Sequence, residues 1–350
     1  MSFDGEFRHH IDKIHKASLR LGTEASYSRN VFLPITNLCR NRCSYCGFRR
    51  DPNDGAWFME PDEVIELTRR AKAAGCSEAL LTLGERPEFH AEAREKLEEL
   101  GYKNTVDYLV DLSREILELG LLPHTNAGLL NERELKRLRR YNASMGLMLE
   151  SAVELPAHVC SPGKDPKLRL KMIEAAGRLR IPFTTGLLIG IGENSEDRIQ
   201  SLLAIQRLHE QYGHIQEIII QPFAPKPNTP MAGCPSPSVE GVFSTVAVAR
   251  SMMPDMNIQV PPNLVANVRH FLWAGANDFG GISILTHDFI NPEHPWPSVA
   301  ELRAAVERTG FVLRERLPIY PRYALDARFM SREVKERVLE LASEDGYRAC

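Results

Sequence analysis

Residues 30–46 read NVFLPITNLCRNRCSYC, and that stretch decides how the rest of the chain is read. Asn30–Ile35 is apolar and β-branched, the composition of a buried strand. Cys39, Cys43 and Cys46 follow it directly in one loop, at C-x3-C-x2-C spacing. Three thiolates so spaced can converge on one small polynuclear site. Structural zinc closes its tetrahedron with four protein ligands, and the next histidine along the chain is His90. An electron-transfer cubane also takes four cysteines. Three is the number that leaves one iron open, and an open iron can chelate a small molecule. Zinc completed by a distant residue and a chance group of free cysteines stand as alternatives.

Outward from this loop, short apolar runs alternate with amphipathic stretches. Strands are expected at Glu78–Leu83, Leu121–Asn126, Ser144–Leu149, Phe183–Ile189, Ile215–Gln221, Asn257–Val260 and Gly281–Leu285. One helix is expected from Pro61, a good first-turn residue, to Gly75, a good terminator, and another from Asn194 or Ser195 through Arg207. The alternation predicts parallel βαβ units, and eight strands predict an α/β (βα)8 TIM-type barrel, complete or partial. The cysteine loop would then lie on the catalytic face of that barrel. A doubly wound sheet would want a Gly-rich turn where this chain has cysteines. HAEAREKLEEL (90–100) reads as a surface insertion. The expected organisation is one domain over 1–350, with a core at about 28–325. Residues 1–24 are expected to form an outer helix. The extension 317–350 is expected to end in a charged helix, Ser331–Leu341, packed across the barrel's outside.

Composition sets outer bounds. The 350 residues are 43% hydrophobic and 25% charged, an ordinary globular balance. A net charge of −3 without a basic stripe argues against nucleic acid. No apolar run approaches a membrane span, and the start carries acids instead of a signal-peptide core, so a cytoplasmic location is expected. Seven cysteines in such a chain read as ligands or free thiols, not as a disulfide framework. Cys76, Cys160, Cys234 and Cys350 are scattered, which argues against a second cluster.

With Tyr45 in the aromatic place, the triplet resembles the C-x3-C-x-aromatic-C signature of the radical S-adenosylmethionine (SAM) superfamily. The resemblance implies one [4Fe–4S] cluster on Cys39, Cys43 and Cys46, with SAM chelated at the open iron. A reduced cluster would cleave SAM to a 5′-deoxyadenosyl radical that abstracts hydrogen from substrate. Leu83-Gly84-Glu85 resembles the turn that contacts SAM's amino group, with one Gly where two are usual. Gly186–Glu193 resembles the G-x-I-x-G-x-x-E stretch that packs against adenine, Leu188 replacing Ile, which implicates Gly190 and Glu193. Glu150 and Ser151, atop strand four, and Arg169, early in the next helix, are implied to contact SAM's ribose and carboxylate.

The flanking text is narrower still. PITNLCRNRCSYCGFRRDP, EALLTLGERPE, LLPHTNAGLL, MGLMLES, SPGKDPKLRL, IPFTTGLLIGIGE, IIIQPFAPKPNTPM and PPNLVANVRHFLWAGANDFGGIS together resemble the CofG-type subunit family of 7,8-didemethyl-8-hydroxy-5-deazariboflavin (FO) synthase, from about residue 28 to 325. That implies ring closure and ammonia loss on a hydroxybenzyl-diaminouracil adduct, a companion radical SAM subunit that makes the adduct from tyrosine, and a one-electron donor. A polar substrate predicts hydrogen-bonding groups at the barrel mouth: Thr125, Asn126, Gln221, and by position Thr184, Thr185 and Lys226, with plain turn chemistry as the competing reason for each. His124 adjoins them and equally suits a satisfied core histidine. Asp278, before Gly280-Gly281, is a candidate base. A paralogous radical SAM reaction (the companion subunit or a menaquinone-pathway relative) is the nearest alternative. A non-catalytic metal-binding protein is the alternative of another class, and the Gly186–Glu193 stretch argues against it. An aldolase-like barrel would need a lysine within a strand, and none is found in those above.

Overall fold

Strand one is longer than its apolar run. In the computed structural model, which describes residues 22–349, β1 spans Glu24–Thr36. Its second half pairs with β2 (Glu78–Leu83) and its middle with β8 (Asp278–Ser283). Between these run β3 (Leu122–Asn126), β4 (Ser144–Gly146), β5 (Phe183–Ile189), β6 (Ile215–Pro222) and β7 (Asn257–Gln259), every neighbour parallel. The sheet therefore closes on itself as an eight-stranded barrel with helices between the strands, a TIM-type architecture. The core follows from the composition: Val31, Leu33 and Ile35 of β1 and Ile218 and Ile220 of β6 have their side chains fully out of solvent.

Three boundaries differ from the sequence expectation. The first half of β1, Glu24–Ser28, pairs with a ninth strand, β9 (Val312–Arg316), outside the closed barrel. Both segments are half polar, so neither carries the apolar run that marks the other strands. β4 stops at Gly146; beyond it the chain stays beside β5 through single contacts, among them a bridge from Glu150 to Leu187. β8 starts at Asp278, so the Asn-Asp-Phe-Gly-Gly cluster is the beginning of a strand and not a turn before one.

The C-terminal extension ends in the expected helix, and its first residues cross the N-terminal end of the barrel. The Pro318 carbonyl accepts from Ser144 Oγ (2.6 Å) and Gln216 Nε2 (3.0 Å), and the Tyr320 N–H donates to Gln216 Oε1 (3.2 Å). Ser144 and Gln216 begin β4 and β6, so this segment forms the barrel's floor. The helix Arg332–Leu341 then packs Val334 and Val338 with Leu117, Leu122 and Ala143. The outer helix expected over 1–24 falls outside the described residues up to 21. Among the described residues no helix is long and apolar enough to cross a membrane.

Candidate active site

The loop after β1 brings Cys39, Cys43 and Cys46 to one wall of an outer cavity of about 350 Å³, at the C-terminal ends of the strands. Gly84 makes this possible. A Cβ there would stand 2.0 Å from the Leu38 carbonyl oxygen and 2.7 Å from Cys39 Cβ, so only glycine lets the end of β2 touch the loop. The Cys39 sulfur accepts from the backbone N–H of Glu85 (3.2 Å) and Asn41 (3.4 Å). Burial nonetheless pushes the Cys39 thiol up to about 11 and raises Cys43 as well. Thiols that burial keeps protonated, as at Cys39 and Cys43, become thiolates when a cation replaces the protons. Among the described residues no three of His, Cys, Asp and Glu group tightly enough to chelate one ion. The donor set thus suits a polynuclear cluster, whose ligands sit on separate irons, better than a zinc ion.

Opposite the loop stands Glu150, in the left-handed region at φ 66°, its N–H donating to the Gly186 carbonyl (2.8 Å). One carboxylate oxygen meets Lys164; the other accepts from Tyr45 Oη and lies 3.2 Å from His158 Nε2. Burial would raise this carboxyl, but Lys164, His158 and Arg169 outweigh it and hold it well below the usual carboxylate range. Arg169 donates to the Met148 carbonyl through Nε (2.6 Å) and the Gly163 carbonyl through Nη1 (2.7 Å). Its Nη2 lies 3.9 Å from Glu150 and its Nη1 3.8 Å from Glu85. Glu85 is lowered too: burial opposes, but Arg169, the Leu129 N–H and Arg40 prevail. Tyr45, Gly84, Glu85, Glu150 and Arg169 therefore face one space with the three cysteines.

An inner cavity of about 170 Å³ opens beneath it, in the barrel's interior. The two share Asn126, Thr184 and Gln221, and Lys226 lines the outer one. The inner walls also carry Asn30, Glu78, Glu217, Gln259 and Arg316, polar groups that the apolar strand pattern does not mark. His124 is there as well; burial pushes it down to about 4, so it is a neutral ring near pH 7. Glu217 accepts from Thr184 Oγ1 (3.0 Å), Arg316 Nη2 (3.3 Å) and Tyr320 Oη. Burial, against Arg316 and with Asp278 adding to it, raises Glu217 to about 7. Burial likewise raises Glu78, opposed by Arg316 and the Ser28 hydroxyl. A signal for these acids existed: Glu217 interrupts the apolar run IQEIII, and a charge inside a barrel strand points to a polar interior.

Several expected residues are turned elsewhere. Asp278 lines neither cavity. Its oxygens accept from Arg316 Nε (2.7 Å) and Nη2 (2.8 Å), Ser26 Oγ (2.5 Å) and the Gly280 N–H (2.6 Å), which makes it an anchor between β1, β8 and β9. Thr125 faces the helices, donating to Asn142 (2.7 Å), and Thr185 accepts from the Leu149 N–H (3.2 Å). Ser151 accepts from the Val153 N–H (3.2 Å). Glu193 braces its own turn, accepting from the Gly190 N–H (2.7 Å), the Ile191 N–H (2.8 Å) and Arg198 Nε (3.0 Å). Neither Gly190 nor Glu193 lines a cavity; from that stretch Leu188 does.

Known proteins resemble this chain in sequence and in fold. Residues 33–205 match the model of the radical SAM superfamily. The chain is 50% identical over 331 residues to 7,8-didemethyl-8-hydroxy-5-deazariboflavin synthase of Methanopyrus kandleri, covering 92% of this chain and 99% of that one. It is 52% identical over 321 residues to the enzyme of that name from Methanothermobacter thermautotrophicus, covering 90% and 97%. Among solved structures, methylornithine synthase (PylB) aligns with a TM-score of 0.65 at 20% identity, over 89% of this chain and 90% of that one. HydG, a maturase of the [FeFe]-hydrogenase, aligns at 0.74 and 17%, over 98% and 76%. These two share the fold. With half its residues identical over nine-tenths of its length, the chain belongs to the radical SAM superfamily and, within it, to the family of 7,8-didemethyl-8-hydroxy-5-deazariboflavin synthases.

Proposed function

We propose that this chain closes the deazaflavin ring, acting as FO synthase subunit 1, a carbon–nitrogen lyase. Its substrate is 5-amino-5-(4-hydroxybenzyl)-6-(D-ribitylimino)-5,6-dihydrouracil, supplied by a companion subunit. The observation that carries this reading is the inner cavity: a polar chamber opens directly into the space walled by the three cysteines.

Superfamily membership implies a [4Fe–4S] cluster and SAM, one of each per chain in this reading. Bound together and reduced by a one-electron donor, they would supply the radical chemistry that removes a hydrogen atom from substrate. The chain's own part is to hold and to exclude. Cys39, Cys43 and Cys46 hold the cluster. Arg169, with Nε and Nη1 engaged by carbonyls, keeps Nη2 for the SAM carboxylate, where a guanidinium pairs well. Glu150, fixed by Lys164, His158 and Tyr45, presents a charged carboxylate to SAM's ribose and amino group. Asn126, Thr184 and Gln221 stand where the cavities meet and orient the substrate rings toward the cysteines. The floor at Arg316 and Pro318 closes the far end against water.

The test is anaerobic. The reconstituted, reduced chain receives SAM and the adduct, and 5′-deoxyadenosine and FO are quantified together. Both products are expected, and both vanish in Cys43→Ala. Deoxyadenosine without FO, from protein holding a reduced cluster, refutes the substrate assignment.

A further inference from the structure

Deepest in the inner cavity, on the first rung that β1 and β2 share, Asn30 stands beside Glu78. Both are nearly solvent-free, at 1% and 6% exposure. Asn30 Oδ1 has no hydrogen-bond partner among the described residues. Its amide lies over Gly281, where a Cβ would stand 2.2 Å from Nδ2, so β8 leaves it room but no partner. Glu78 has no salt bridge among the described residues, because Arg316 is engaged by Asp278 and Glu217. Arg316 and the Ser28 hydroxyl offset its burial only in part. Two buried acceptors side by side, facing a cavity with at most one donor between them, cost stability until donors arrive. A chain of vicinal hydroxyls offers donors at that spacing. The cavity's other unpartnered atoms, Asn263 Oδ1 and Trp296 Nε1, lie on the loops after β7 and β8, toward the cysteine side. There they suit a ring carrying both carbonyl and N–H groups.

Building on the FO reading above, we propose that Asn30 and Glu78 together bind the hydroxyls of the substrate's ribityl chain. The ribityl chain then points to the barrel floor and the reacting rings point to the cysteines. The pair acts as a specificity determinant and takes no part in the chemistry.

The test is equilibrium binding to the reconstituted protein, followed by deazaflavin fluorescence. The probes are FO and the same tricycle bearing N-methyl in place of ribityl. The wild type is expected to prefer FO by about 30-fold, the worth of about two hydrogen bonds made in a buried site. Glu78→Gln and Asn30→Ala should each shrink that preference to about 3-fold while leaving affinity for the N-methyl tricycle unchanged, which also shows that the barrel is intact. Both variants retaining the full preference overturns the proposal. So does a wild type that makes FO yet binds the two tricycles equally; that result leaves the FO reading standing. A wild type that binds neither tricycle and makes no FO overturns the FO reading, and this proposal with it.

Discussion

Asp278 and Glu217 are two acids on the barrel strands, and their partners give them different roles. Asp278 gives both oxygens to Arg316, with Ser26 and the Gly280 N–H completing its shell. Glu217 shares the same guanidinium but faces the cavity and sits near neutrality, at about 7. Sequence alone favoured Asp278, because a carboxylate before two glycines looks like a turn at a strand end. It is the first residue of β8, turned away from the inner cavity, and nothing in the order of residue types shows that. Asp278→Asn is therefore expected to act on folding. It leaves a buried guanidinium half paired, a change that costs about 3–5 kcal/mol. The melting temperature falls, and FO and 5′-deoxyadenosine fall together in proportion to folded protein. A normal melting temperature with deoxyadenosine kept and FO lost would return Asp278 to the mechanism.

At the scale of elements, strands with apolar runs were legible: β2 and β5 have the expected boundaries, because a strand buried on both faces carries its signal in composition alone. β9 and the first half of β1 were not legible, since edge pairing outside the barrel needs no apolar run. The cysteine loop was legible as chemistry. What holds it was not, because Gly84 matters through a contact with Leu38 that lies far from it in sequence. Gly84→Ala would place a methyl 2.0 Å from a backbone oxygen that has no flexible side chain to yield. The expected outcome is loss of most cluster loading after reconstitution, at least about tenfold by iron and sulfide content, with the circular dichroism of the barrel unchanged. Full iron loading would show that the loop can move away from β2 at little cost.

For the molecule as a whole, buried neutral histidines set an acid limit. Burial pushes His124 down to about 4 and His214 to about 3, while unfolded histidine titrates near 6.5. Between those values the unfolded chain binds protons that the folded chain refuses. The stability they contribute is thus fully present above about pH 6.5 and is lost as pH falls toward the folded values. His214 Nε2–H donates to the Ile173 carbonyl (2.9 Å), an interaction that glutamine can keep through its N–H. Between pH 6.5 and pH 5, His214→Gln should lose about 2 kcal/mol less stability than the wild type, measured by urea unfolding of cluster-free protein. Parallel stability curves for the two would contradict a neutral His214.

The same whole-molecule view, of a barrel whose top carries three thiols and whose interior holds a polar chamber, rests on the cluster having an open iron. Electron paramagnetic resonance of the reconstituted, dithionite-reduced protein tests that most directly, recorded with and without SAM. The expected result is a reduced [4Fe–4S] signal that changes shape when SAM is added and is missing from Cys43→Ala. A cluster signal indifferent to SAM, or a protein that retains zinc and no iron, would contradict it.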